Sequence, residues 1–449
     1  MRHRTRANPF DVRQPQIALR IGLDPRGFDA IANADLIGFL SHKSVEPVIF
    51  DDSSTPGHVT FQASDGDQSI LGLRWHHENG WTDTGIFSWF DWQSMAGAEA
   101  GRRQWPLGEL LPVARVAGAA VALECDFVIT ESPALIEWKV GPVAELSRLR
   151  PAEALAILGL FLRNRGDYTI RQVSGGSHSY NRGLFYWVAT RELLPAGWRW
   201  FSSCVNSWHH TNDDAIVNLA QSALQRIDRA LRARDAIHVQ MQLEHNNDTA
   251  DEAMAQLDAA LVFLVGALDA VARVAHIAVG LPRSSLTSAG WTRDKWLRRL
   301  GQASAALEQA ASPSTQSGAT MRILHGLRNS IHGQALQSIA FQEGIASRRE
   351  NLIKLPHGEF VQVISGMESL GGRERWGLRD LLPDAAGVEP DTLIDTLFGE
   401  VIDATNTLMT ATPVELLSGA TSGPLSTHPP AEDVFGEVPR KAIRALLGF

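Results

Sequence analysis

The chain has 449 residues, 44% hydrophobic and 20% charged, so it is globular rather than disordered and long enough for two or three domains. Its 41 Lys and Arg against 50 Asp and Glu give a formal charge of -9, which excludes a generic polyanion binder and leaves room only for a local basic surface. Two cysteines, Cys125 and Cys204, exclude a disulfide scaffold and an all-cysteine zinc site, and they suit a reducing cytoplasm.

Residues 1–14 read as a basic, mobile arm with no apolar run behind it, unlike a secretory signal. From 15 to about 140 the pattern is short and β-like. Gln16–Gly22, Val45–Phe50, His58–Ala63, Ser69–His76 and Thr84–Phe90 are strand-sized, and Val113–Ile129 reads as a further strand or two. Pro47 demotes the second of these to a sheet edge. Turn clusters such as Asp51–Gly57 separate the runs, and the alternation through Ser69–His76 suits a strand with one buried face. A mainly antiparallel sheet is expected here. Pro151–Glu153 opens an apolar helix through Arg163, with proline at its first position and a carboxylate near its amide-rich end. Tyr168–Val173 and Leu184–Thr190 again look strand-like. Nine of the thirteen tryptophans fall between Trp75 and Trp200, so residues 15–210 are expected to form a tryptophan-rich α+β domain with a dense core.

Past Thr211–Asp214, which has capping-box-like spacing, the pattern turns helical to about Arg234. The strongest helix is Asp251–Val279, where Met254, Leu257, Leu261, Leu264, Leu268, Val271 and Ala275 step by three and four. Gly280-Leu-Pro282 ends it. Helices follow at Thr292–Ala311, Thr320–His332 and about Pro390–Met409, with a small β insertion near 349–365 around Pro356-His-Gly358. Residues 211–411 are thus expected to be an all-α bundle apart from that insertion. The remainder, 412–449, reads as a linker rich in Pro, Ser and Gly with a short last helix. The fold class expected is therefore α+β, with the β domain first. The longest apolar stretch, Ala259–Leu268, is short of the roughly 18–20 residues of a membrane span, so a cytoplasmic protein with no membrane partner is expected.

Most catalytic signatures are missing. The adjacent pairs His76-His77 and His209-His210 do not have metal-ligand spacing, and no phosphate-loop or serine-elbow motif occurs, so neither metal nor cofactor is expected. The one informative segment is Met321–Gly333. On a helix, Ile323, Leu324, Leu327 and Ile331 gather on one side, and Arg322, His325, Arg328, Asn329 and His332 on the other. Arg328 and His332 lie one turn apart, a guanidinium beside an imidazole that titrates near neutrality. Such a pair suits a phosphodiester, because Arg grips nonbridging oxygens in a fork and His moves a proton.

In this segment the chain resembles the HEPN family (higher eukaryotes and prokaryotes nucleotide-binding), helical and often dimeric domains. Many of its members are metal-independent ribonucleases of toxin and defence systems. The resemblance rests on Arg328-Asn-Ser-Ile-His332-Gly333, in which three residues separate Arg from His where the family has four to six, and it covers residues 213–411. It implies an endoribonuclease, a homodimer, and RNA or a nucleotide as partner. Arg328 would hold phosphate, His332 would be base or acid, and Asn329 would orient them.

Two patterns support a phosphate site. Between Arg283 and Arg379 there are 13 basic and 7 acidic residues, an island of net +6 that includes Arg298 and Arg299. On the long helix Asp269, Arg273 and His276 share a face, with Asp269 able to pair with Arg273 or to hold a histidine. Substrate contacts are therefore expected from Arg322, His325, Arg298, Arg299, Arg273 and His276. The alternative is a non-catalytic interaction or scaffold protein that binds a partner or small ligand through its N-terminal domain. On that reading Arg328 and His332 merely complement a helix C-terminus closed by Gly333.

Overall fold

The computed structural model describes residues 6–14, 17–51, 57–64, 67–77, 80–103, 105–138, 141, 143, 146–171, 177–331, 333, 335–342, 349–428 and 437–449. The chain divides into two compact units, residues 1–180 with 441–449, and residues 181–440.

The first unit is α/β, which corrects the antiparallel β domain expected from the sequence. Its elements run β1 (Leu19–Leu23), α1 (Ala34–Leu40), β2 (Val45–Ile49), β3 (Val59–Ser64), β4 (Asp67–His77), β5 (Gly80–Ser88), α2 (Trp89–Arg103), α3 (Leu107–Ala122), β6 (Phe127–Ile129), α4 (Pro133–Ile136), β7 (Ser147–Leu149), α5 (Pro151–Asn164), β8 (Thr169–Arg171) and β9 (Ser177–Ser179). The main sheet is parallel, in the order β2-β1-β6-β7, with helices interleaved in the chain. Leu19, Ile21, Phe127, Val128 and Ile129 are all buried, as strands covered on both faces require. Strands of three to five residues are too short for alternation to declare pairing direction. The small-residue run of α3, with Leu110, Val113, Ala114 and Ala117 buried, forms a helix and not the strands its apolar content suggested. Pro47 does sit at a sheet edge, opposite Ile21, where its missing N–H costs no ladder bond. Among the described residues of this unit, antiparallel pairing is confined to the meander β3-β4-β5 and the hairpin β8-β9. Trp75, Trp92 and Trp138 lie in the core.

Residues 1–5 of the expected arm lie outside the described residues. Beyond them, Arg6 Nη1 meets Asp126 Oδ2 at 2.6 Å, and Phe10, 5% exposed, stacks edge-on against Phe161.

The second unit contains α6 (Arg182–Leu193), α7 (Gly197–Thr211), α8 (Asp214–Gln242), α9 (Asn247–Ala278), α10 (Asp294–Ala303), α11 (Ala305–Ala310) and α12 (Gln316–Ser330). After these come β10 (Gln337–Phe341), β11 (Glu350–Pro356), α13 (His357–Ser369), α14 (Gly372–Arg375), β12 (Leu378–Leu382), β13 (Ala385–Val388) and α15 (Pro390–Ala411). The last helix, α16 (Glu437–Leu447), crosses the division between the units. The unit is therefore not all-α. It carries a four-stranded antiparallel sheet, β10-β11-β13-β12. Leu184–Thr190 belongs to helix α6, whose first turn is capped by the Asn181 side chain accepting from the Leu184 N–H. Glu359–Ile364 belongs to helix α13, because Phe360, Val363, Ile364 and Met367 recur at helical spacing and are all buried.

α8 and α9 pack against each other along their length, and α12 and α15 complete the core around α9. The apolar stripe of α9 is buried, with Leu257, Leu261, Leu264, Leu268, Val271 and Ala275 at 0% exposure. α9 is long and apolar enough to cross a membrane by composition, and 67% of its most apolar window is packed inside this unit. Two glycines set the approach of α12 to α13. A Cβ on Gly326 would come within 2.4 Å of Val363, and one on Gly366 within 2.9 Å of Ile323. The carboxylate of Glu400 on α15, 1% exposed, accepts from Gln316 and Thr320 of α12 and pairs with Arg375 of α14 at 2.6 Å.

Gly326→Leu should therefore force α12 away from α13 and destabilise the protein by about 1–3 kcal/mol, as overpacking does. Thermal denaturation checks this, and an unchanged melting temperature would show that the crossing is loose.

Candidate functional site

α9 presents Asp269 and Arg273 on a half-buried face, and the chain beyond it is folded back by two tryptophans. Trp291 Nε1 donates to the Leu268 carbonyl at 2.9 Å, and Trp296 Nε1 donates to His276 Nδ1 at 3.0 Å. The two indoles meet edge to face with centroids 5.1 Å apart. His276, 1% exposed, uses its other nitrogen to donate to the Pro282 carbonyl at 3.0 Å. Both ring nitrogens are thus engaged, one accepting and one donating, which locks the ring in the core. Here His276 ties the start of α10 to α9 instead of facing a substrate.

This fold-back holds Arg293, whose Nη1 donates to the Thr287 carbonyl at 2.8 Å and whose charge acts on His325 of α12. α12 buries Ile323, Leu324 and Leu327, and turns Arg322, His325, Arg328 and Asn329 outward. His325 is half-buried, and burial lowers its pKa below the usual histidine value. Asp269 pulls it back up, while Arg328 and Arg293 push it further down. One carboxylate and two guanidiniums, from three segments, therefore act electrostatically on His325. Of the two roles the sequence left open for Asp269, no ion pair with Arg273 forms among the described residues, and its charge acts on His325. Arg273 Nε is buried with no hydrogen-bond partner among the described residues.

Arg328 is half-buried, one helical step from His325 at i, i+3, and Asn329 is exposed beside it. Arg298 and Arg299 are exposed on α10, and Arg322 is exposed with Nη2 donating to the Pro313 carbonyl at 2.6 Å. Among the described residues no carboxylate pairs with Arg298, Arg299, Arg322 or Arg328. His332 lies outside the described residues. The arrangement can hold an oxyanion between guanidiniums beside a proton carrier that is neutral at physiological pH.

A second polar cluster of this unit escaped the sequence. On α8, Arg234 is 5% exposed and Asp235 6%. Asp395 of α15 accepts from Arg234 Nε at 2.5 Å and meets His238 Nε2 at 2.7 Å, and the Tyr186 hydroxyl donates to Asp235 at 2.6 Å. Burial opposes ionisation of Asp395, but the His238 hydrogen bond and the charges of His238 and Arg234 outweigh it and hold its pKa down at about 2. The i, i+4 spacing of Arg234 and His238 was the only local sign, and their partner is more than 150 residues away.

Asp395→Asn should destabilise the protein by about 1–3 kcal/mol at neutral pH, since it weakens the pairing of a buried guanidinium. A carboxyl depressed from about 3.9 stabilises the fold above that value and loses this effect as pH falls towards 2. The gap in melting temperature between wild type and Asp395→Asn should therefore close on acidification. A gap that stayed constant down to pH 2 would contradict the assignment.

No family model, curated protein or solved structure matches this chain, so the reading of the site rests on its own geometry.

Proposed function

We propose that the helical unit binds RNA through its basic island and cleaves it by metal-independent phosphodiester chemistry at His325 and Arg328. What supports this reading is that the charges of Asp269, Arg293 and Arg328 all act on the half-buried His325 imidazole. A phosphodiester held by Arg328 and Arg293 keeps its nonbridging oxygens in guanidinium forks. The neutral His325 takes the proton of the neighbouring ribose 2′-hydroxyl, the 2′-oxygen bonds to phosphorus, and the 5′-oxygen leaves. The leaving oxygen takes a proton from water or from a second imidazole; the HEPN resemblance implies that His332 is base or acid. The products are a 2′,3′-cyclic phosphate and a 5′-hydroxyl. Arg298, Arg299 and Arg322 are exposed and extend the track for the flanking backbone.

A second reading is RNA or nucleotide binding without cleavage. The exposure of Arg298, Arg299 and Arg322 favours it, because those contacts need no proton carrier.

The test is cleavage of labelled RNA in EDTA. The wild-type protein should leave cyclic phosphate ends, His325→Ala should lower the rate at least about 100-fold, and Arg328→Ala should weaken both binding and cleavage. Equal cleavage by all three, or binding with no cleavage by wild type, would remove the catalytic reading.

A pH–rate profile tests the electrostatics. With His325 as base, the acid limb should fall below the ordinary histidine value of about 6.5. Asp269→Asn should move that limb to lower pH, and Arg293→Ala should move it to higher pH. Shifts of opposite sign would reject the assignment of His325.

A further inference from the structure

The helical unit holds a cavity that the proposed RNA chemistry does not use. It has a volume of about 370 Å³ and is lined by α11, the start of α12 and the C-terminal half of α15. Its wall carries two unmet demands of opposite sign.

The first is for an anion. α12 is 15 residues long, and the amides of its first turn have no acceptor within the helix. Thr315 Oγ1 accepts from the Gly318 N–H at 3.1 Å. The N–H groups of Gln316 and Ser317 have no acceptor among the described residues, and both residues line the cavity. Ser317 is only 6% exposed, and its hydroxyl also has no hydrogen-bond partner among the described residues. The Gln316 side chain is committed to Glu400, whose charge is balanced by Arg375. Free amides at the start of a helix favour an anion, and the Ser317 hydroxyl can donate to the same one. The second demand is for a cation. Asp403 lines the cavity, and its carboxylate makes no ion pair or hydrogen bond among the described residues. Beside it the Thr407 hydroxyl donates to the Asp403 carbonyl at 2.9 Å and keeps its lone pairs for a further donor. No Lys or Arg lines the cavity.

We propose that the cavity binds a free aliphatic α-amino acid as its zwitterion. The ligand carboxylate accepts from the Gln316 and Ser317 N–H groups and from the Ser317 hydroxyl. The ligand ammonium pairs with Asp403 and donates to Thr407. Its aliphatic chain rests on Ala306, Ala310 and Ala404, which supply the apolar part of the wall. A zwitterion meets both demands at once. A bare anion would meet the Asp403 charge, a simple amine would leave the α12 amides and Ser317 unpaired, and an uncharged ligand would satisfy neither. A charged ligand side chain would find no further opposite charge on the wall. The volume falls in the range of small-ligand pockets. The inference stands independently of the RNA reading.

The test is calorimetric titration of the full chain with L-alanine, L-valine and L-leucine, each alongside its amide, which lacks the carboxylate, and its N-acetyl derivative, which lacks the ammonium. At least one amino acid should bind at least tenfold more tightly than either of its derivatives. Asp403→Asn should weaken that binding tenfold or more without weakening the N-acetyl derivative, since only the ammonium end loses its partner. Asp403 is exposed and makes no contact that the fold needs, so the melting temperature should not change. Ala306→Phe, at an exposed position on the rim, should abolish binding by filling the cavity. His325→Ala should leave it unchanged, which separates this site from the RNA site. Absence of binding by all three amino acids, an amide or N-acetyl derivative that binds as tightly as its parent, or amino acid binding that survives both Asp403→Asn and Ala306→Phe would overturn the proposal.

Discussion

The burial of the α9 stripe is the constraint on which the helical unit depends. A 32-residue helix whose leucines recur every three or four positions cannot leave that face in water, since each such side chain gains about 1.5–3 kcal/mol on full burial. α8, α12 and α15 supply the cover. Once they are in place, the polar residues at the margin of the stripe have little choice of neighbour. Asp269 is carried to α12, and His276 is enclosed beneath Trp296.

Electrostatics at the candidate site follows from that packing. α12 buries its apolar side, which leaves His325 and Arg328 on the side towards which Arg293 is folded. Half-burial makes the imidazole harder to protonate, and two guanidiniums act in the same direction against one carboxylate. The same rule has a structural outcome nearby. Around Asp395, burial is outweighed by His238 and Arg234, so the carboxylate remains charged and links α8 to α15. One pattern makes an imidazole harder to protonate, and the other keeps an ion pair closed.

In the α/β unit the parallel sheet does the corresponding work. Parallel strands bring the residues after β1 and β6 to a single edge, which is why Asp24 and Thr130 are hydrogen-bonded despite their separation in the chain. Of the tryptophans concentrated in this half, Trp75, Trp92 and Trp138 pack in its core together with α3.

What the sequence by itself determined is what periodicity within one element controls. The α9 stripe, the two faces of α12, the helix opened by Pro151 and the edge position of Pro47 were all legible, because each depends on residues within a few positions of one another. Tertiary structure alone decided the rest. Short apolar strands pair in parallel because helices cover both faces, and the chain after Pro356 coils into α13 because Phe360, Val363 and Met367 find a core to fill. Arg328, His325 and Asp269 could be named from local spacing. That His276 would be locked by Trp296 and that His238 would meet Asp395 could not be read locally. Burial and pairing of a side chain are set by neighbours remote in the chain, and no local pattern encodes them.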